Sequence, residues 1–339
     1  MKKTIVIRAV SFLIGLTGLA GALSAQVTLN RNPSRAVGQP QLAVNTRNPN
    51  LVEGREFYGP QAAALDTSVN PPVLYVSDSL NNRVLGWKSI GFSNGAKADF
   101  VIGQKDFFST NRLGPGTAFN SGLTIPTGLA VDKSGNLYVV DTGNNRILRF
   151  PKPYAQTDQL PNLVIGQTSL SCATCNLPNS GGVTANAKTI FVAANGVTLT
   201  TALVFDTQGN LWFTDSGNNR VLRYPASALG DSAFNAPAAD LVLGQLDFTT
   251  TTAPPATPEG AKLTSALFQP QGLVFDPNGR LYVSDSPPFN RVLVYQPKLA
   301  ARPLPALLPV SASDRPRAAP AAVAAPVGPG GPCAGARGA

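Results

Sequence analysis

Between Gly128 and Phe150 apolar and polar positions alternate in three short runs, separated by Ser134-Gly135-Asn136 and by the stretch Asp141 to Arg146. Period-2 alternation over about five residues predicts strands, and Gly and Asn in the gaps predict tight turns that need positive φ. The stretch therefore reads as a three-stranded antiparallel meander. The same pattern returns at Ala202 to Tyr224 and at Gly272 to Tyr295, and more loosely at Ala63 to Trp87. The Asp that ends each second strand falls at 78, 141, 215 and 285, at spacings of 63, 74 and 70 residues. Recurrence on that scale predicts a repeat architecture in which each unit buries its faces against its neighbours.

A further motif, an apolar pair followed by Gly-Gln, occurs as Asp99 to Phe107, Asn162 to Leu170 and Asp240 to Phe248, after the first three meanders. It predicts a fourth, outer strand for each. A fourth copy, Ser34 to Leu42, precedes all the meanders, and none follows the last. That offset predicts an all-β propeller of four-stranded antiparallel blades with four blades visible. In it, Ala36 to Gln39 would close the final sheet against Arg291 to Tyr295, so that no sheet edge stays free.

At the N-terminus, Lys2, Lys3 and Arg8 precede an uncharged run from Ala9 to Leu23 and a small-residue exit. This predicts a secretory signal peptide over residues 1–25, a span of about 20 apolar residues being needed for a membrane anchor. The expected destination is the cell envelope, the periplasm or the exterior, with no membrane attachment after cleavage. Residues 26–299 form the repeat body. Residues 300–339 carry Pro or Gly every few positions and no strand pattern, which predicts a disordered tail, either a wall-spanning linker or an out-of-frame end.

The formal net charge of +9 comes mostly from the two ends: residues 26–299 hold 20 basic and 17 acidic side chains. That balance gives no basis for a nucleic-acid partner.

Gly128-Leu-Ala-Val-Asp132, Gly135-Asn-Leu-Tyr-Val-Val-Asp141 and Asn144-Asn-Arg-Ile-Leu148 resemble the NHL-repeat family of β-propellers, in particular exported bacterial members with a Gly-Gln-x-Asp-Phe outer strand. The resemblance extends over roughly Ser34 to Lys298. It implies a propeller of about six blades, so four blades are either a small ring or an incomplete propeller. The family scaffold hosts lyases, lactonases, RNA binders and protein-binding modules, and it specifies fold far more than function.

The repeated Asp-x-x-x-Asn-Arg turn supplies the candidate site: Asp78, Asn82 and Arg83; Asp141, Asn145 and Arg146; Asp215, Asn219 and Arg220; and, with Pro287-Pro288-Phe289 inserted, Asp285, Asn290 and Arg291. Two roles fit. The carboxylate can accept turn N–H groups and the Arg fork, making the turn structural. Alternatively, Asn and Arg ringing the channel mouth can hold a peptide or a glycan. The turns at Asp132, Asp206 and Asp276 lack the distal Glu of a calcium loop and read as hairpin turns.

Cys172 and Cys175 predict a local disulfide in an exported chain, with Cys333 left over. The sequence contains no His, and its body holds only Glu53, Glu56 and Glu259 as glutamates. Lyases that the resemblance brings in use His, and the lactonase-like propellers use a Glu/Asp/Asn calcium site. The expectation is therefore a non-catalytic module for a protein or envelope glycan, with no cofactor and no metal, and the alternative is a lyase or lactonase-like enzyme with a metal in the channel.

Overall fold

The structure, a computed structural model, describes residues 29–48, 51–113, 121–156, 159–171, 185–194, 197–253 and 264–298. The segment 1–25 expected to be a signal peptide, Cys172, Cys175, Cys333 and the residues from 300 onward lie outside them.

Each meander folds as an antiparallel sheet in chain order. Blade 1 is β1 (Pro60–Asp66), β2 (Val73–Asp78), β3 (Arg83–Trp87) and β4 (Phe100–Ile102). Blade 2 is β5 (Pro126–Val131), β6 (Leu137–Asp141), β7 (Arg146–Phe150) and β8 (Leu163–Ile165). A small hairpin, β9 (Ala193–Ala194) and β10 (Val197–Thr198), leads into blade 3, which is β11 (Leu203–Phe205), β12 (Leu211–Asp215), β13 (Arg220–Tyr224) and β14 (Leu241–Leu243). Blade 4 is β15 (Gly272–Phe275), β16 (Leu281–Asp285) and β17 (Arg291–Tyr295), and has no fourth strand among the described residues.

Strand alternation gives every blade two apolar faces, and the faces interlock in sequence. Tyr75, Val84 and Ile102 of blade 1 pack on Leu129, Val139 and Leu148 of blade 2. Tyr138, Ile147 and Ile165 of blade 2 pack on Leu203, Phe213 and Tyr224 of blade 3. Trp212 and Val221 of blade 3 meet Leu281 and Val283 of blade 4. Each fully buried apolar side chain of this kind contributes about 1.5–3 kcal/mol. These interfaces are why the sheets stack as propeller blades.

Among the described residues no such cluster joins blade 4 back to blade 1, which corrects the expected closure. Among the described residues Ala36 to Gln39 does not pair with β17, and blade 4 shows three strands. The N-terminal segment covers the outer face of blade 1 instead, where Val37 and Phe57 pack with Val76, Leu85 and Trp87. It is tied there locally: the Ala36 N–H donates to Asn94 Oδ1 at 2.8 Å, and Arg35 Nη1 donates to the Phe92 carbonyl at 2.8 Å. Blade 4 leaves Val274, Val292 and Val294 about half exposed, at 57, 58 and 46%.

The Tyr224 hydroxyl is buried between blades 2 and 3 without a hydrogen-bond partner among the described residues. Burial pushes its pKa up, as it pushes those of Tyr138 and Tyr295 up to about 12. A folded-state pKa above the unfolded value of about 10 gives stability that is complete below pH 10 and lost as pH rises through it. Melting temperature should therefore fall steadily from about pH 10 to 12 while tyrosinate absorbance rises. Tyr224→Phe should leave stability at pH 7 unchanged or raise it by up to about 1 kcal/mol, because the orphaned hydroxyl is removed. A loss above 1 kcal/mol in urea unfolding would contradict this account.

Candidate functional site

The Asp-x-x-x-Asn-Arg turns are built the same way in blades 1 to 3. The second strand ends at the Asp, one turn of 3-10 helix follows, and the Asn closes it in the left-handed region at φ of 53, 49 and 55° for Asn82, Asn145 and Asn219. Asn tolerates that conformation better than any other residue with a Cβ, because its short amide can bond locally.

The side chains then turn inward. In blade 2, Asp141 Oδ1 accepts the Thr124 N–H at 2.6 Å, and Oδ2 accepts Asn144 Nδ2 at 2.8 Å and Arg146 Nε at 2.6 Å. Asp215 repeats this with the Phe191 N–H, Asn218 and Arg220. Asp78 does so with the Tyr58 N–H, Asn81 and Arg83, and Asp285 with the Phe268 N–H and Arg291. The remaining guanidinium nitrogens reach backbone carbonyls of the connections on either side, such as Leu170 and Gly122 for Arg146. Burial pushes the carboxyls of Asp78, Asp141 and Asp215 up from their ordinary range, and the facing Arg is the strongest force opposing it.

Arg83, Arg146 and Arg220 are fully buried, and Asn82, Asn145 and Asn219 nearly so. The Asn amides bond the chain entering the next blade: Asn145 Oδ1 accepts the Val192 and Ala193 N–H groups while Nδ2 donates to the Ala193 carbonyl. Burial and internal bonding direct these six side chains into the frame and away from a ligand surface, against the expectation of a polar ring at the channel mouth. Only in blade 4 are the turn residues open, with Asn290 exposed and Arg291 stacked 4.8 Å from the Phe289 ring centroid.

The cavities lie at the opposite end of the blades. One of about 260 Å³ sits between blades 2 and 3, lined by Asp132, Lys133, Asn136, Tyr138, Phe205 and Asp231. A second of about 260 Å³, bordered by Leu65, Ser68 and Lys133, lies between blades 1 and 2. The first combines aromatic and polar walls: Tyr138 and Phe205 meet edge to face at 5.1 Å, and both Asp132 and Asp231 act on the Tyr138 hydroxyl. Beneath it Arg149 is 1% exposed and has no carboxylate partner among the described residues. Its Nε is held by Asn162 Oδ1 and its Nη1 by the Leu229 and Gly230 carbonyls, two residues that also line the cavity. The repeat pattern hides this position, because Gly86, Arg223 and Val294 occupy it in the other blades.

The long connections from third to outer strands, such as Pro225 to Asp240, emerge at the same end. Among the described residues no group of three or more His, Cys, Asp and Glu side chains is placed to hold a metal ion.

Comparison with curated proteins finds no match. Solved structures that resemble the chain include a streptogramin B lyase, at 10% identity and TM-score 0.35, over 70% of this chain and 54% of the other. The gluconolactonase XC5397 from Xanthomonas campestris follows at 19% and 0.34, over 71% and 59%. A protein from Lactobacillus plantarum gives 13% and 0.39, over 71% and 56%. The chain thus spans little more than half the length of these structures, and such distant likenesses carry nothing about activity. Residues 123–150 match the family model described as NHL repeat. The chain thus carries an NHL repeat at residues 123–150, and the other three meanders are propeller blades built on the same frame.

Proposed function

We propose that the chain is an exported, non-catalytic binding module that holds a short polar segment of a protein or envelope glycan at the cavity between blades 2 and 3. The observation behind this reading is the mixed wall of that cavity, where Tyr138 and Phe205 stand beside Asp132, Asp231, Lys133 and Asn136. Pockets with an apolar body and a few convergent polar groups are the usual places for recognition. A volume of about 260 Å³ suits one sugar ring or one side chain of an extended ligand. Lys133 and Asp231 are exposed, and the connection that carries Asp231 differs from its counterparts in the other blades, as binding loops on a regular frame do.

Lys133→Ala combined with Asp231→Ala should reduce retention on cell-envelope fractions by about tenfold, equivalent to about 1.4 kcal/mol, without changing the melting temperature. Phe108→Ala with Thr249→Ala, two exposed positions at the other end of the blades, should leave retention unchanged. The reverse pattern would transfer the binding surface to the turn end. Equal retention by all the folded variants would remove the cavity from the account.

A further inference from the structure

The two ends of the blade series are complementary, and the geometry points to a second copy of this chain as the partner of each. We propose that residues 34–42 of one copy add as a fourth strand to β17 of another, head to tail.

At the donor end, Gly38 and Gln39 already have the geometry that follows the outer strands of the other blades. Gly103, Gly166 and Gly244, which follow the outer strands of blades 1 to 3, have φ of 87, 89 and 89°, and Gly38 has 81°. Each lies against the residue that opens the next blade, so that an added Cβ would strike Leu123, Ile190 or Leu267; at Gly38 it would strike the Phe57 ring at 1.9 Å. Gln104 Nε2 donates to the carbonyl seven residues on, Asn111, and Gln245 to that of Thr252. Gln39 donates to Thr46, also seven residues on. The N-terminal segment thus sits on blade 1 as β4 sits on blade 2, but no third strand lies beside it.

The acceptor end lacks what such a strand supplies. In blades 1 and 3 the same Gln amide also donates to the carbonyl of the turn Asn, Asn82 at 2.8 Å and Asn219 at 3.0 Å. Among the described residues nothing donates to the Asn290 carbonyl. Arg83 and Arg220 each send Nη1 to the carbonyl three residues beyond the Gln, Phe107 and Phe248. Arg291 bonds through Nε and Nη2 only, its Nη1 having no hydrogen bond among the described residues. The edge of β17, unpaired among the described residues, lies between these two groups.

In the complex Gln39 would donate to the Asn290 carbonyl, Arg291 Nη1 to the Leu42 carbonyl, and Val37 would take the place that Ile102 holds in blade 1. The exposed Val292 would then be covered like Val84, Ile147 and Val221, its counterparts in blades 1 to 3, which are fully buried. Such strand addition satisfies a sheet edge through main-chain bonds, with side chains setting the register. The contact is heterologous, so it generates closed rings or longer arrays.

The test is sedimentation of the full chain, together with binding of a fluorescent peptide of residues 33–43 measured by anisotropy. Expected are multimers that grow with concentration up to about 100 µM, and their dissociation by excess peptide. Gln39→Ala in the chain and Val292→Lys at the exposed acceptor should each weaken association by about tenfold or more, with unchanged circular dichroism. A peptide carrying Gly38→Val should not bind. A chain that binds the peptide but stays monomeric overturns the second copy as the occupant. Absence of peptide binding, or association that the peptide does not compete, overturns the acceptor site itself.

Discussion

Asp215→Ala is expected to destabilise the propeller by about 3–5 kcal/mol, a large fraction of the stability of an ordinary domain. Asp215 and Arg220 are both fully buried, with Arg220 Nε 2.6 Å from the carboxylate. Removing the acid leaves a guanidinium in the interior without its counter-charge, and leaves the Phe191 N–H and Asn218 amide without their acceptor. Breaking a buried pair from one side is much more damaging than deleting both halves, since the uncompensated charge carries most of the penalty. The double variant Asp215→Ala, Arg220→Met should therefore recover a substantial part of the loss. Asp285→Ala should cost less than Asp215→Ala, because the Arg291 side chain is 28% exposed and water can solvate it. Urea unfolding of the four proteins checks the order. Equal losses at 215 and 285 would contradict the dependence on burial.

Asn145→Ala should cost about 3 kcal/mol through two separable effects. The residue sits at φ 49°, where an L side chain unable to bond locally loses about 1–2 kcal/mol. Its amide also satisfies the Val192 and Ala193 N–H groups and the Ala193 carbonyl, and orphaning buried backbone groups adds about 1–3 kcal/mol. Asn145→Gly keeps the backbone conformation and loses only the bonds, so it should be the milder change. Asn136→Ala should cost about 1 kcal/mol, since among the described residues the Asn136 amide bonds only Asp132 within its own hairpin. If Asn145→Ala melts like the native protein, the amide is not holding blade 2 to the connection that follows it.

The sequence by itself determined the repeat, the strand positions and their order. Period-2 runs bounded by Ser-Gly-Asn and Asp-x-x-x-Asn-Arg left one reading of each meander, and the apolar residues on both faces required neighbours on both sides. It also marked the turn Asp residues as possible acceptors of backbone N–H groups, because a short carboxylate at the end of a strand has few other partners. The repeated polar turn was harder to place, since an Asn or Arg at a strand end has the same local pattern whether it faces solvent or the interior.

Tertiary structure alone decided that question, by stacking the next blade's entry segment over Asn82, Asn145 and Asn219. It also decided closure: Gly38 and Gln39 have the backbone and amide geometry of the other Gly-Gln motifs, but their segment forms no strand and joins no sheet among the described residues. Three apolar blade interfaces fix the angles between neighbours, and they leave β17 without the strand that the pattern promised it. The cavity over Tyr138 and the buried Arg149 came from the same source, because residues from separate blades and a non-repeated loop converge there, and a repeat pattern records only what its copies share.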